Sequence, residues 1–210
     1  MVKTKIQVAK KHYFDLRYDS KSRWISYWHQ INEVLKLKKS PILEIGIGNK
    51  TVSDYLKKIG LAVTTADFDS SLKPDVNADV LDLPFKNNSF GTILCAEVLE
   101  HLPFKDFMRA LSEIRRVTKH YAVVTIPHDS LTHIYLGIKI IPFVPKIEKM
   151  IKINTSKEQH TFDGEHYWEV GKKGYSLEVV KKAITKTGFK IIKDYYPLEN
   201  PKHHFFILKK

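Results

Sequence analysis

Four short apolar runs recur between residues 41 and 127: "PILEIG", "LAVTTADF", "GTILCAE" and "YAVVTIP". Runs this short and this apolar suit strands buried on both faces, and the brief links between them suit a parallel sheet with helices packed on it. The first link, "TVSDYLKKIG", reads as a helix stopped at Gly60. The last, "FKDFMRALSEIRRVTK", places Phe104, Phe107, Leu111, Ile114 and Val117 on one helical face. Between the second and third strands, "DSSLKPDVN" is too short and turn-like for a crossover helix. "ADVLDLPFKNNSF" then supplies a short strand and a loop.

Outside this stretch the pattern changes. Residues 1 to 12 are basic and without periodicity, as in a frayed terminus. From Asp19 to Leu37, Trp24, Tyr27, Trp28, Ile31, Val34 and Leu35 form one helical stripe. Residues 128 to 165 break the strand–helix rhythm and read as an insertion capping the strand ends. Within it "IKIIPFVPKI" interleaves apolar and basic residues as a membrane-surface segment would, but its prolines argue against a long interfacial helix. "SLEVVKKAITKTG" is a helix with a Ser176 cap and a Gly188 stop, and "FKIIKDYY" and "HHFFILKK" are a final antiparallel pair. The expected organisation is a tail and amphipathic helix (1–40), an α/β core (41–127), a cap (128–175), and a helix with two strands completing the sheet (176–210). The fold class is α/β, with a Rossmann-like, doubly wound, mostly parallel seven-stranded sheet. Helices cover both faces and the last strand is antiparallel.

Length and composition narrow the class. At 210 residues with 43% hydrophobic content, one domain with elaborations is expected. No signal-like or membrane-spanning stretch is apparent and a single cysteine, Cys95, excludes a cysteine zinc cluster, so the chain reads as cytoplasmic. The net charge of +12 invites a nucleic-acid partner. It comes from 30 scattered lysines against 5 arginines, however, and a solvated surface is the favoured reading.

"EIGIGNK" poses the functional question. Glycines after a buried strand let backbone approach a ligand closely, and a dinucleotide fingerprint would need a third glycine where Thr51 stands. Glu44, two residues before Gly46, would sit badly beside a pyrophosphate but well beside an ammonium group. With "DLPF", "SF" and "EVLEHL" downstream, residues 41 to 127 resemble the class I S-adenosylmethionine (SAM)-dependent methyltransferases. The resemblance implies SAM as cofactor, with Glu44, Gly46 and Gly48 under its methionine part. It also implies Asp67, 19 residues after Gly48, on the ribose with Phe68 against the adenine, Asp79 and the Val80 amide at the adenine edge, and Ala96 and Glu97 at the reactive end. Two departures from the family pattern are Lys50, where a third glycine is usual, and the missing crossover helix.

For the acceptor, His128 at a strand end, His101 and His166 are the acid–base candidates. Glu100 and His101 also read simply as holding a helix start. In "EQHTFDGEHYWEVG" the alternatives are an ordered polar loop, an acceptor site with stacking aromatics, or a metal site of His160, Asp163 and His166. Those spacings match no standard zinc pattern, and no metal is expected. Arg23 is a candidate for the SAM carboxylate. His203 and His204 read as structural, with one of the pair exposed, and Cys95 as a small buried residue. The expected activity is methyl transfer to an oxygen or weakly basic nitrogen of a small-molecule, glycan- or lipid-linked acceptor. No "NPPY"-type segment points to DNA-base amino methylation. An RNA methyltransferase and a non-catalytic partner subunit are the alternatives.

Overall fold

The computed structural model describes residues 6–128, 132–138, 147–153 and 159–210. The strands are β1 (Ile42–Ile45), β2 (Val63–Asp67), β3 (Val76–Asn77), β4 (Phe90–Ala96), β5 (Thr118–Pro127), β6 (Thr132–Ile138), β7 (Ile147–Ile153), β8 (Lys190–Tyr195) and β9 (His203–Lys209). The α-helices are α1 (Lys21–Leu37), α2 (Thr51–Lys58), α3 (Phe104–Val117) and α4 (Leu177–Lys186). Seven strands form one sheet in the order β3-β2-β1-β4-β5-β9-β8, with β9 antiparallel to both its neighbours and β1 to β5 pairing in parallel. This is the expected α/β sheet. The chain runs outward from β1 through β2 to β3, then returns to β4 on the other side of β1. That reversal opens a crevice beyond the carboxyl ends of β1 and β4, where ligands of such sheets bind.

Alternation along the strands divides the core between two faces. On one, Leu43, Ile45, Ile93, Cys95 and Val124 pack with Phe107, Leu111 and Ile114 of α3 and Val180 and Ile184 of α4. On the other, Ile42, Leu94, Val123 and Phe205 pack with Tyr27 and Val34 of α1 and Val52 and Leu56 of α2. Local signals set the helix ends. Ser20 and Ser176 accept hydrogen bonds from the Arg23 and Val179 amides at the starts of α1 and α4.

The structure departs from the sequence reading in four places. The third strand lies earlier, at Val76–Asn77, because Asp79 accepts from the Leu81 amide and turns the chain there. Lys10–Phe14 is a short 3-10 turn, and residues from Ile6 onward line the crevice instead of fraying. Neither His203 nor His204 is exposed, since α1 and β8 cover both flanks: His203 meets Ser26 and His204 meets Asp194. Trp168 is wholly buried, meeting Phe104 and Phe107 edge-on and donating from Nε1 to the Leu102 carbonyl, so it anchors its loop instead of offering a stacking surface. In the insertion, β6 and β7 pair as an antiparallel hairpin, and the proline-bearing piece between them lies outside the described residues. No helix among the described residues is long and apolar enough to cross a membrane.

Candidate active site

The turn after β1 forms the floor of the crevice. Gly46 has φ +78°, and a Cβ there would collide with Val98, so only glycine fits. Gly48 also has positive φ, and a Cβ would reach ordinary contact with Tyr13 and Tyr18 of the N-terminal segment. Lys50 adopts φ 66° at the start of α2, a left-handed conformation that glycine would take more easily. Its Nζ is drawn away to the Lys73 carbonyl at 2.6 Å, and the residue does not line the crevice.

The carboxylates at the strand ends differ in setting. Glu44 is buried and its Oε2 has no hydrogen-bond partner; burial pushes its pKa up to about 7, partly offset by hydrogen bonds from Ser53. Asp67 accepts from the Ile47 amide through Oδ2 and from the Asp69 amide through Oδ1, each at 2.9 Å. Burial raises its pKa, and these amides pull the other way. Glu97 follows β4 with φ 54°, a strained backbone for a residue with a side chain. Its Oε1 accepts from Thr125 Oγ1 at 2.7 Å, and its Oε2 lies 3.5 Å from His203 Nε2.

Two adjoining cavities result. The first is lined by Glu44, Gly46, Gly48, Asp67, Phe68, Asp79, Val80, Ala96 and Glu97, so all nine residues named from the sequence for the cofactor come together. Tyr13, Tyr18 and Arg23 close it from the N-terminal side, the guanidinium 4.3 Å from the centre of the Tyr18 ring. The second is lined by His101, His128 and His166, with Glu97, Glu100 and His203. Glu97 and His101 belong to both cavities.

Titration behaviour differs among these groups. Burial and then the neighbouring His166 lower the pKa of His101. Burial also acts to lower His166, but its bond to Glu169 at 2.8 Å and the charges of Glu169, Asp163 and Glu97 together outweigh this and raise it. Burial, then the Glu97 charge, raises Glu100 well above the carboxylate range. His128 Nδ1 lies 3.2 Å from His204 Nδ1, and His204 Nε2 lies 3.2 Å from Asp194. Sequence reasoning missed Gln7, Tyr13 and Tyr18, and gave His203 only a structural role. The aromatic cluster "HYFDLRY" was the available signal for the first group.

Comparison with known proteins accords with this geometry. Residues 43–126 match the family model described as a methyltransferase domain. A segment of 57 residues is 46% identical to an uncharacterized protein of Methanocaldococcus jannaschii, covering 26% of this chain and 24% of that protein, about a quarter of its length. Among solved structures the fold is similar to the Burkholderia thailandensis 1,6-didemethyltoxoflavin-N1-methyltransferase, at a TM-score of 0.62 and 11% identity over 95% of this chain and 84% of the other. It is also similar to magnesium protoporphyrin IX methyltransferase from Synechocystis, with a TM-score of 0.61, 11% identity, and 90% and 80% of the two chains covered. Residues 43–126 thus match a methyltransferase domain, and the chain shares its fold with solved SAM-dependent methyltransferases.

Proposed function

We propose that the first cavity holds SAM and that the chain methylates an oxygen, or a weakly basic nitrogen, of an acceptor seated in the second cavity. The observation that carries this reading is the shared wall. Glu97 and His101 line both the cavity containing the nine cofactor candidates and the one containing the three histidines. The residues fit the cofactor: Glu44 Oε2 is a buried acceptor without a partner, suited to the α-ammonium of SAM. Asp67 retains acceptor capacity for ribose hydroxyls, Asp79 and the Val80 amide suit the adenine edge, and Arg23 suits the carboxylate.

When bound, SAM supplies a methyl carbon activated by a positive sulfonium, and the electron pair of the breaking C–S bond stays on sulfur. The chain's own work is to align the acceptor and exclude water, which is worth roughly 7–11 kcal/mol in well-oriented reactions. His128, His101 and His166 offer ring nitrogens for the proton that an acceptor hydroxyl loses. The acceptor is read as a small molecule, or a glycan- or lipid-linked one, with the segment 128–175 as its cap. The Burkholderia enzyme, solved with bound 1,6-didemethyltoxoflavin, supports a small-molecule acceptor by analogy.

Calorimetric titration with S-adenosylhomocysteine (SAH), with NAD in parallel, tests the cofactor assignment. SAH should bind and NAD should not, and Asp67→Ala should weaken SAH by about 10- to 100-fold. Binding of NAD alone would overturn the reading, and an unchanged SAH affinity in Asp67→Ala would remove the ribose assignment.

A further inference from the structure

We propose that Glu100, His101 and His166 form a binding site for a first-row divalent metal ion at the wall between the two cavities. Its chemical role rests on the oxygen-acceptor reading above, whereas binding of the ion does not.

One carboxylate oxygen of Glu100 and one ring nitrogen from each histidine lie within 4.8 Å of one another. Metal–ligand bonds of about 2.0–2.2 Å place neighbouring donors roughly 3–3.5 Å apart, so modest side-chain rotation closes the set around an ion. Glu100 provides an independent observation. It is 0% exposed, it lines the second cavity, and neither carboxylate oxygen has a hydrogen-bond partner. A buried carboxyl without a partner is costly, and a cation removes that cost directly.

The hydrogen bonds of the two histidines point the same way. Gln7 is oriented by its Nε2 bond to the His101 carbonyl, which turns its Oε1 to His101 Nδ1 at 2.8 Å. The same Nδ1 lies 2.9 Å from the Glu165 carbonyl oxygen. Both partners are acceptors, so Nδ1 carries the proton and Nε2 keeps a lone pair. In His166, Nδ1 is bonded to Glu169 Oε1 at 2.8 Å, which leaves the same nitrogen to ligate. Metal-binding histidines are held in this way, the second ring nitrogen donating to a carbonyl or a carboxylate. The loop that brings His166 here is fixed by buried Trp168 and by the Tyr167 amide, which donates to the Glu100 carbonyl at 2.9 Å.

The set differs from the His160, Asp163 and His166 combination weighed from the sequence. His160 Nε2 is turned to the His166 carbonyl, and Asp163 Oδ1 accepts from the Glu165 and His166 amides. Two imidazoles with one carboxylate suit manganese, cobalt or zinc better than magnesium or calcium. Three protein ligands leave positions open toward the second cavity. An ion there would orient an acceptor hydroxyl beside Glu97 and lower its pKa. With His101 and His166 engaged as ligands, the hydroxyl oxygen would take the methyl group as the C–S bond of SAM breaks, sulfur keeping the electron pair, and the proton would pass to His128.

The test uses untagged full-length protein stripped with a chelator and titrated with Co(II), followed by visible absorption, and with Mn(II), followed by electron paramagnetic resonance. One ion per chain is expected. Glu100→Gln and His166→Ala should each weaken it at least about 100-fold, and Glu169→Gln by about 10- to 100-fold. SAH titration of the same variants reports folding and an intact first cavity. If Glu100→Gln fails to fold, His166→Ala and Glu169→Gln carry the result. Wild type that binds SAH but no ion overturns the metal site and leaves the cofactor reading standing. An ion bound equally well by His166→Ala overturns the ligand assignment. Metal binding without SAH binding sinks the cofactor reading while supporting the site.

Discussion

The two cavities are built in opposite ways. The nine cofactor candidates come from strand ends and the turns that follow them, all between Glu44 and Glu97. The second cavity gathers residues from Val8 to His203, drawn from the N-terminal segment, the turn before α3, the end of β5, the loop around His166 and the start of β9. The first depends largely on what the backbone does where a strand ends. The second depends on side chains brought together by packing elsewhere, above all by Trp168. The first should therefore tolerate distant core damage better than the second.

The largest expected effect tests that difference. Trp168→Ala removes a fully buried indole and should cost about 3–5 kcal/mol in urea unfolding. SAH affinity of the folded fraction should hold while the His166 loop loosens. An equal collapse of SAH affinity would mean that the cavities are not separable.

Next comes Glu44→Gln. The carboxyl is pushed up to about 7 from an ordinary value of 4.5, so the folded chain holds an extra proton between them. The stability this provides is present below the ordinary value and is lost as pH rises through about 7. The loss is on the order of 3 kcal/mol, and the glutamine variant should lack that slope. SAH favours the charged form through its ammonium, so wild-type affinity should climb with pH to about 7 and then level. The variant should bind more weakly, with that pH dependence removed. A parallel pH profile in both proteins would take Glu44 away from the ammonium.

The smallest effect belongs to Lys50→Gly. Relief of the left-handed backbone, set against loss of the Lys73 contact, should change stability by no more than about 1 kcal/mol. SAH affinity should stay unchanged, because the side chain points away from the cleft. A large gain in affinity would show that the lysine does obstruct the turn.

The same contrast explains what the sequence could reveal. The spacing of Glu44, Gly46 and Gly48 was legible because strand, turn and helix are local, and Asp67 and Asp79 recur at the ends of the next strands. The seven-stranded sheet followed from periodicity and link lengths. The N-terminal segment was not legible, since no helical or strand period marks Tyr13 and Tyr18, whose place depends on close approach to Gly48. Neither was Glu100. Beside His101 it looks like an ordinary polar pair at a helix start, and only the packing of the loop carrying His166 and Trp168 brings the second histidine to it. Trp168 was misread because a tryptophan within a polar run gives no sign of the Phe104 and Phe107 rings it meets.

The segment carrying Val8, Tyr13 and Tyr18 walls both cavities, yet its 3-10 turn contains no buried residue. Its seating rests instead on the Gln7 bonds to His101 and on the approach of Tyr13 and Tyr18 to Gly48. On the reading proposed above, one movement of this strap would admit and release both ligands, so a substitution at Tyr13 or Tyr18 should alter the binding of each.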